Sequence, residues 1–479
     1  MNRFKKTAQF SLLLALSVFL PVAVLQADSS PNLNDWSAVY EKIDRILVTV
    51  EYRAEMTFMG QSEDIKGRVL GIAVEPEGTI IFDGTTLGTG SHFGSGSMSA
   101  PRVEKPKSLK VTTADGDVYD AEFIGVDQYS SIAFCRLPDS ARGKVKTAEF
   151  DQVDLELGDE LFIFWMLPNK YKPRFQMDNT SITGILEKPE PLYLTGELTG
   201  DFIMSPAVTS KGKMVGVITP ITQSNGSYSG YDYGGVFGNP VGIMPLDQFN
   251  KLLAKPPEPE KYKRGWMGIT LQALDPEIGE FWGLDVPGGI IVSNIVAHSP
   301  AEMAGLTPGD FIVGFDGEPI EVTQDANLLI FQRKISELGE GVDVDLTVIR
   351  PEDEAIDTLQ IVVTLGKVPV SAAEAPNYKD KNFDLTIRDL VFADYNNRDI
   401  DPDKLKGVMV DKMEAGGWAA VGRVRAGDII MKIGDQIVTS VEACESIFVQ
   451  MEKDRSKEVV FMIWRNHQTK FVNIKMHWE

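Results

Sequence analysis

Two stretches of the sequence, residues 289–317 and 407–435, repeat one plan at one length. Each has an apolar β-type segment, a short stretch of small residues, and a turn that ends in Gly-Asp before another apolar segment. Repetition of this kind indicates two copies of one domain. Each copy continues with a predicted helix and a predicted strand, which fits a small, partly open β-barrel with two helices: 325–338 and 342–350, then 441–452 and 457–465.

Two segments rich in proline and charge, residues 254–261 and 367–380, lack any periodicity and are predicted to be linkers. Together with an N-terminal segment described below, they divide the 479 residues into three units, as expected at about 150 residues per domain. The predicted units are 36–253, 262–366 and 381–479.

The first unit is rich in short β signals separated by Gly, Pro, Asp or Ser. An all-β sandwich or barrel is expected, closed by a helix over 246–253. The glycine-rich residues 84–96 are predicted to form a mobile surface loop. The predicted strands are 46–52, 67–74, 109–113, 121–126, 132–137, 160–165 and 213–218.

The N-terminus has the layout of a secretory signal. Arg3, Lys5 and Lys6 precede an apolar run over 10–20 that Pro21 interrupts. A membrane anchor is the alternative, but this run is short against the roughly 20 residues that span a bilayer. We therefore expect residues 1–27 to be cleaved, leaving a periplasmic or secreted protein without a membrane span.

Charge and cysteine content exclude several classes of partner and cofactor. The formal net charge is -22, from 69 acidic and 47 basic residues, so the average field repels nucleic acid. Cys135 and Cys444 lie in different predicted units and indicate no disulfide framework or thiolate metal site. No cofactor and no metal ion are expected.

Several motifs resemble those of the HtrA (Deg) family of trypsin-like serine proteases. The resemblance implies a mainly β chain: a chymotrypsin-like double β-barrel domain followed by two PDZ domains, over about residues 40–479. It also implies a homo-oligomer, in this family commonly a trimer, or a hetero-oligomer with an active relative. The matching stretches are Arg264–Ile269, Ser299–Ala301, Gly305–Asp310, Phe383–Ile387, Gly422–Asp428, Asp115–Ala121, Ser205–Val208 and Val241–Pro245.

The family's catalytic positions hold none of the expected side chains. Alignment places Thr85 at the histidine, Ser131 at the orienting aspartate and Ile203 at the nucleophile, or Phe202 after a one-residue shift. None of these residues supplies the base, the carboxylate or the nucleophile of acyl transfer. The first hypothesis is therefore a pseudoprotease without enzyme activity, serving envelope protein quality control as chaperone, adaptor or regulator.

The alternative hypothesis is an active serine endopeptidase with displaced catalytic groups. His92 is the only histidine of the first unit, and Ser205 lies two residues after Ile203. In this hypothesis His92 and Ser205 form a displaced pair, and Asp83 orients the imidazole. A third hypothesis treats the chain as a scaffold in which both PDZ grooves are closed.

Peptide binding is predicted for the first PDZ domain. Its loop resembles those whose backbone N–H groups hold a peptide's terminal carboxylate while the peptide adds as a strand. In the second copy Asp384 replaces Gly268, and its negative charge is expected to disfavour a carboxylate. The predicted binding residues are Arg264, Trp266, Met267, Gly268, Ile269 and Leu271.

Overall fold

The computed structural model describes residues 33–478 except 59–60, 88–101, 104, 128, 169–170, 173, 188–190, 197–201, 221–240, 259–262, 353–354, 371, 373, 399 and 415. The predicted signal segment 1–27 lies outside the described residues, as does His92. None of the helices in the described part of the chain is both long and apolar enough to cross a membrane.

The N-terminal unit contains two antiparallel sheets. The first sheet runs β6-β5-β1-β2-β3-β8-β7, with β4 paired to β1, and the second closes into a barrel in the order β10-β11-β14-β13-β12-β9. Its elements are α1 (Leu33–Asp44), β1 (Leu47–Phe58), β2 (Gln61–Ala73), β3 (Thr79–Asp83), β4 (Arg102–Val103), β5 (Ser108–Thr112), β6 (Val118–Asp120), β7 (Glu122–Val126), β8 (Ile132–Arg136), β9 (Glu160–Met166), β10 (Phe175–Leu186), β11 (Leu192–Thr195), β12 (Pro206–Val208), β13 (Met214–Pro220), β14 (Val241–Pro245) and α2 (Leu246–Ala254).

One apolar cluster joins both sheets and both helices of this unit. Ile43 of α1 and Phe249 of α2 pack into it together with Ile81 and Phe134 of the first sheet and Phe164 of the barrel. Such a shared core explains why β13 is buried along its whole length, since residues on both of its faces contact other apolar groups. The prediction of a mainly β unit is confirmed.

The middle unit is a six-stranded sheet in the order β16-β17-β18-β20-β21, with β19 paired to β18. A separate pair, β15 with β22, joins the start and the end of the unit. Its elements are β15 (Gly265–Trp266), β16 (Ile269–Ala273), α3 (Pro276–Phe281), β17 (Ile290–Ile295), α4 (Pro300–Met303), β18 (Phe311–Phe315), β19 (Glu318–Pro319), α5 (Leu328–Leu338), β20 (Asp343–Glu352), β21 (Ala355–Thr364) and β22 (Gly366–Lys367).

The C-terminal unit follows the same order of elements but has one more strand in its sheet. The order is β23-β24-β25-β26-β28-β29, with β27 paired to β26. Its elements are β23 (Asn377–Asp380), β24 (Leu385–Asp389), α6 (Phe392–Asn397), β25 (Val408–Met413), α7 (Trp418–Val421), β26 (Ile429–Ile433), β27 (Gln436–Ile437), α8 (Val441–Asp454), β28 (Glu458–Arg465) and β29 (Gln468–Lys475).

The Gly-Asp turns found in the sequence have the same role in both units. Asp310 is fully buried, and its carboxylate accepts hydrogen bonds from the Arg350 guanidinium at 2.7 and 2.8 Å and from the Thr307 N–H at 2.8 Å. Asp428 and Arg465 form the corresponding bidentate pair. Asp310 thereby fixes the turn before β18 to β20, and Asp428 fixes the turn before β26 to β28.

Candidate functional site

The outer edge of β16 is open. β16 is the terminal strand of its sheet, so the side away from β17 pairs with no other described strand. Ile269 and Leu271 are half-buried and pack against the apolar cluster to which Phe331 and Ile335 of α5 also belong. An extended peptide can add to this edge and place alternate side chains between β16 and α5.

The loop before β16 presents backbone donors at the end of this groove. Gly268 has a φ of +87°, a left-handed conformation that side chains disfavour. The Met267 carbonyl accepts the Ala301 N–H at 3.0 Å, whereas the amides of Met267 and Gly268 donate to no other described residue. Two unpaired N–H groups beside an open strand edge are suited to holding a carboxylate.

Ser299, which no sequence motif singled out as functional, closes the loop from behind. A side-chain carbon added to Gly268 would lie 2.2 Å from the Ser299 Cβ and 3.0 Å from Cη2 of Trp266. Ser299 is fully buried and caps α4, because its Oγ accepts the Glu302 N–H at 3.3 Å. The spacing Ser-Pro-x-x before a run of small residues is the sequence signal for this cap.

The remaining two predicted binding residues face neighbouring units. The Trp266 ring meets the ring of Phe392 edge-on, with centroids 5.7 Å apart. Arg264 donates to the Ser336 Oγ at 3.3 Å and lies 3.7 Å from the Asp127 carboxylate of the N-terminal unit. The positive charge of Arg264, a predicted binding residue, is therefore paired with Asp127.

Two of the three family catalytic positions lie side by side. The Gly84 N–H donates to the Ser131 carbonyl at 2.9 Å, which places Thr85 next to the turn that carries Ser131. Thr85 donates from its N–H and its Oγ1 to the Asp83 carboxylate, at 2.9 and 2.7 Å. Burial raises the pKa of Asp83 above its usual value, and these two hydrogen bonds only partly offset the effect.

The third position, Ile203, packs against the clusters of the N-terminal unit rather than carrying a nucleophile. Met204 has a φ of +67°, and its N–H donates to the Ile218 carbonyl at 2.8 Å. Ser205 is 1% exposed, and its hydroxyl donates to the Phe164 carbonyl. In this conformation Ser205 presents no oxygen to a substrate.

Known proteins resemble this chain over most of its length. A family model described as "PDZ domain" matches residues 265–363. A protein of Pseudomonas savastanoi pv. phaseolicola, named "Probable periplasmic serine endoprotease DegP-like", is 23% identical over 98% of both chains. A protein of the same name from Chlamydia trachomatis is 24% identical over 78% of this chain and 70% of its own.

The fold has a counterpart among solved structures. The structure of "HtrA-type protease AlgWS227A with decapeptide" superposes with a TM-score of 0.50 at 16% identity, covering 71% of this chain and 99% of that one. In sequence and fold the chain is therefore similar to HtrA/DegP-type serine proteases, and its middle unit matches a PDZ domain.

The expectation that the chain lacks enzyme activity is wrong. Relatives that align with 78–98% of this chain are named serine endoproteases. The expectation rested on Thr85, Ser131 and Ile203 and on the missing glycines of the oxyanion turn, as if catalytic groups could stand only at those positions. Acyl transfer requires a geometry of nucleophile, base and oxyanion donors, which different chain positions can supply.

Proposed function

We propose that this chain is a DegP-like serine endoprotease of the cell envelope that captures polypeptides through the groove between β16 and α5. The observation that carries the proposal is the coincidence of the PDZ match over 265–363 with an open strand edge and a loop of unpaired amides. Its clients are exposed C-termini or unfolded segments of envelope proteins, and its role is protein quality control.

Capture follows from the chemistry of the groove. The client's C-terminal segment pairs with β16, and its carboxylate accepts hydrogen bonds from the amides of Met267 and Gly268. An apolar last side chain is favoured, because Ile269 and Leu271 offer half-buried apolar surface there. A free carboxylate should therefore bind about tenfold or more tightly than an amidated end, since each charge-assisted hydrogen bond contributes about 1.5–3 kcal/mol.

Hydrolysis requires groups outside the family's usual positions. His92 is the only histidine in residues 36–253, so an imidazole base supplied by this unit has to be His92. The serine oxygen bonds to the scissile carbonyl carbon as its proton passes to the imidazole. The C–N bond then breaks and the amine leaves with that proton, after which water releases the acyl group and restores the serine hydroxyl. Ser205 can serve as the nucleophile only after its hydroxyl leaves the Phe164 carbonyl.

Cleavage of unfolded casein and labelling by a fluorophosphonate serine probe test this chemistry. We expect cleavage and stoichiometric labelling with the mature chain, both lost in His92→Ala and both retained in the control His477→Ala. Peptide mapping of the label identifies the nucleophile, and Ser205→Ala abolishes labelling if Ser205 is that residue. A folded protein that neither cleaves casein nor reacts with the probe between about pH 6 and pH 9 would refute the proposed catalysis.

The proposal includes a periplasmic location after removal of residues 1–27 and assembly into a homo-oligomer. Location is tested by fractionation of the source cells together with N-terminal sequencing of the mature protein. Light scattering of the purified protein measures the assembly, and a trimer has three times the mass of the mature chain. A mature protein that still begins at Met1, or a monomer at micromolar concentration, contradicts the respective part.

A further inference from the structure

The segment that precedes the loop takes a different partner in each of the two C-terminal units. In the middle unit this segment is β15, which pairs with β22 at the far end of the unit. In the C-terminal unit it is β23, which pairs antiparallel with β24. β24 corresponds to β16, so β23 occupies the strand edge that remains open in the middle unit.

The strand β23 runs in the direction of a bound peptide. Its residues pair with β24 from Asn377 opposite Arg388 to Asp380 opposite Leu385, so its C-terminal end reaches the loop. The Asp389 N–H also donates to the Pro376 carbonyl at 2.9 Å, which extends the pairing by one step. A peptide that adds to such an edge has the same polarity, with its C-terminus at the loop.

The side chain of Asp380 binds the counterpart of one of the two amides proposed to hold a peptide carboxylate. Its Oδ1 accepts the N–H groups of Asn382 at 2.9 Å and Phe383 at 2.8 Å. By sequence alignment of the two loops these residues correspond to Trp266 and Met267. The Met267 amide is unpaired among described residues in the middle unit, whereas its counterpart on Phe383 is bound to a carboxylate.

The side chains of β23 alternate as those of a groove ligand would. Asp380 is 4% exposed and Tyr378 is half-buried against the core of the C-terminal unit, while Asn377 and Lys379 are exposed. The Tyr378 hydroxyl lies 3.4 Å from Asp380. Only the face of β23 that carries Tyr378 and Asp380 thus contacts the core of the unit, whereas the face with Asn377 and Lys379 points away from it.

We propose that residues 377–380 are an intramolecular ligand of the C-terminal unit, with the Asp380 side chain in the place of a peptide's terminal carboxylate. The unit takes an external peptide at β24 only when β23 has left. This proposal concerns a groove other than the one between β16 and α5, and it holds whether or not the chain cleaves or captures clients. It also gives a physical reason, other than the charge of Asp384, to expect weak binding of an external peptide there.

Tethering makes the internal strand a strong competitor. A covalently linked segment with a short connection has an effective concentration of about millimolar or more. An external peptide of equal intrinsic affinity therefore has to exceed about millimolar concentration to displace half of it. Substitutions that weaken the pairing of β23 with β24 should lower the peptide concentration needed for displacement, without altering β24 itself.

The test uses the mature full-length chain and a fluorescent peptide with the sequence of residues 374–380 and a free C-terminus. We expect the double variant Tyr378→Ser/Asp380→Ser to bind this peptide at least about tenfold more tightly than the wild type. The matched control Asn377→Ser/Lys379→Ser alters only the exposed face of β23 and should bind like the wild type. Equal affinities of the wild type and the Tyr378→Ser/Asp380→Ser variant, including no binding to either, would overturn the proposal.

Hydrogen exchange of the wild type provides a second measurement if the double variant does not fold. Amides of β23 should be protected from exchange but less so than those of β25, because β23 can leave β24 while the rest of the unit stays folded. Fast exchange throughout β23, with slow exchange in β25, would also overturn the proposal. Neither measurement depends on protease activity. Peptide bound at the groove of β16 contributes equally to the wild type and the variant, so only the difference between them tests this proposal, and its outcome is separate from that of the proposed function.

Discussion

In the middle and the C-terminal unit, the loop before the second strand packs against the start of a short helix, and the space between them holds only one side chain. In the middle unit Gly268 faces the side chain of Ser299. In the C-terminal unit the order is reversed, since Asp384, with a φ of +51°, faces Gly417. A carbon added to Gly417 would lie 2.4 Å from the Asp384 Cβ. We therefore predict that Gly268→Ala is strongly destabilising and that Ser299→Gly partly restores stability.

The magnitude follows from two separate costs. A left-handed conformation costs a non-glycine residue roughly 1–2 kcal/mol, and overpacking of a tight site typically costs about 1–3 kcal/mol. Together they give about 2–5 kcal/mol for Gly268→Ala. Adding Ser299→Gly removes the overlap and loses a helix cap, for which glycine costs only a few tenths of a kcal/mol. The double variant should therefore recover about 1–3 kcal/mol.

Native-state hydrogen exchange measures this coupling, because it gives the opening free energy of the middle unit within the whole chain. The series needs the wild type, both single variants and the double variant, compared on the amides of β17 and β18. Affinity for a free-carboxylate peptide gives a second readout of the loop. An opening free energy for Gly268→Ala that is unchanged by Ser299→Gly would refute the steric argument.

Two further predictions concern buried polar and sulfur groups. Asp428→Asn should destabilise the C-terminal unit by about 2–4 kcal/mol, because it leaves the largely buried Arg465 without its charge partner. Urea unfolding followed by hydrogen exchange in β26 measures this loss. A loss of stability below about 0.5 kcal/mol contradicts the prediction. Burial raises the pKa of the Cys135 and Cys444 thiols. Neither thiol should therefore react with a disulfide reagent at pH 8 until urea unfolds the chain. Rapid modification of the native protein contradicts this prediction.

Much of the fold could be predicted where its signals are local. The predicted helix over 441–452 corresponds to α8, whose start is capped by Ser440 accepting the Ala443 N–H. The predicted strand 160–165 corresponds to β9, an apolar run. By contrast α1 and the partly exposed β10 were not predicted, because their residues show neither a continuous apolar run nor strict alternation.

The candidate site divides in the same way. Gly268 could be found from the sequence, because a loop that needs a positive φ favours glycine. The pairing of Arg264 with Asp127 could not, since the two residues lie far apart in the chain and no periodicity relates them. The assignment of Thr85, Ser131 and Ile203 to the family's catalytic positions stays a prediction, and it did not decide whether other groups perform the chemistry.

The sequence alone determined that two similar units follow a β-rich one, because repeated Gly-Asp pairs and alternating apolar residues occur within short stretches. Only the tertiary structure decided which strand edge stays open. The segment before each loop can pair with the end of its unit, as β15 does, or fold back onto the neighbouring strand, as β23 does. That choice depends on contacts between residues distant in sequence, which compete for the same backbone hydrogen bonds.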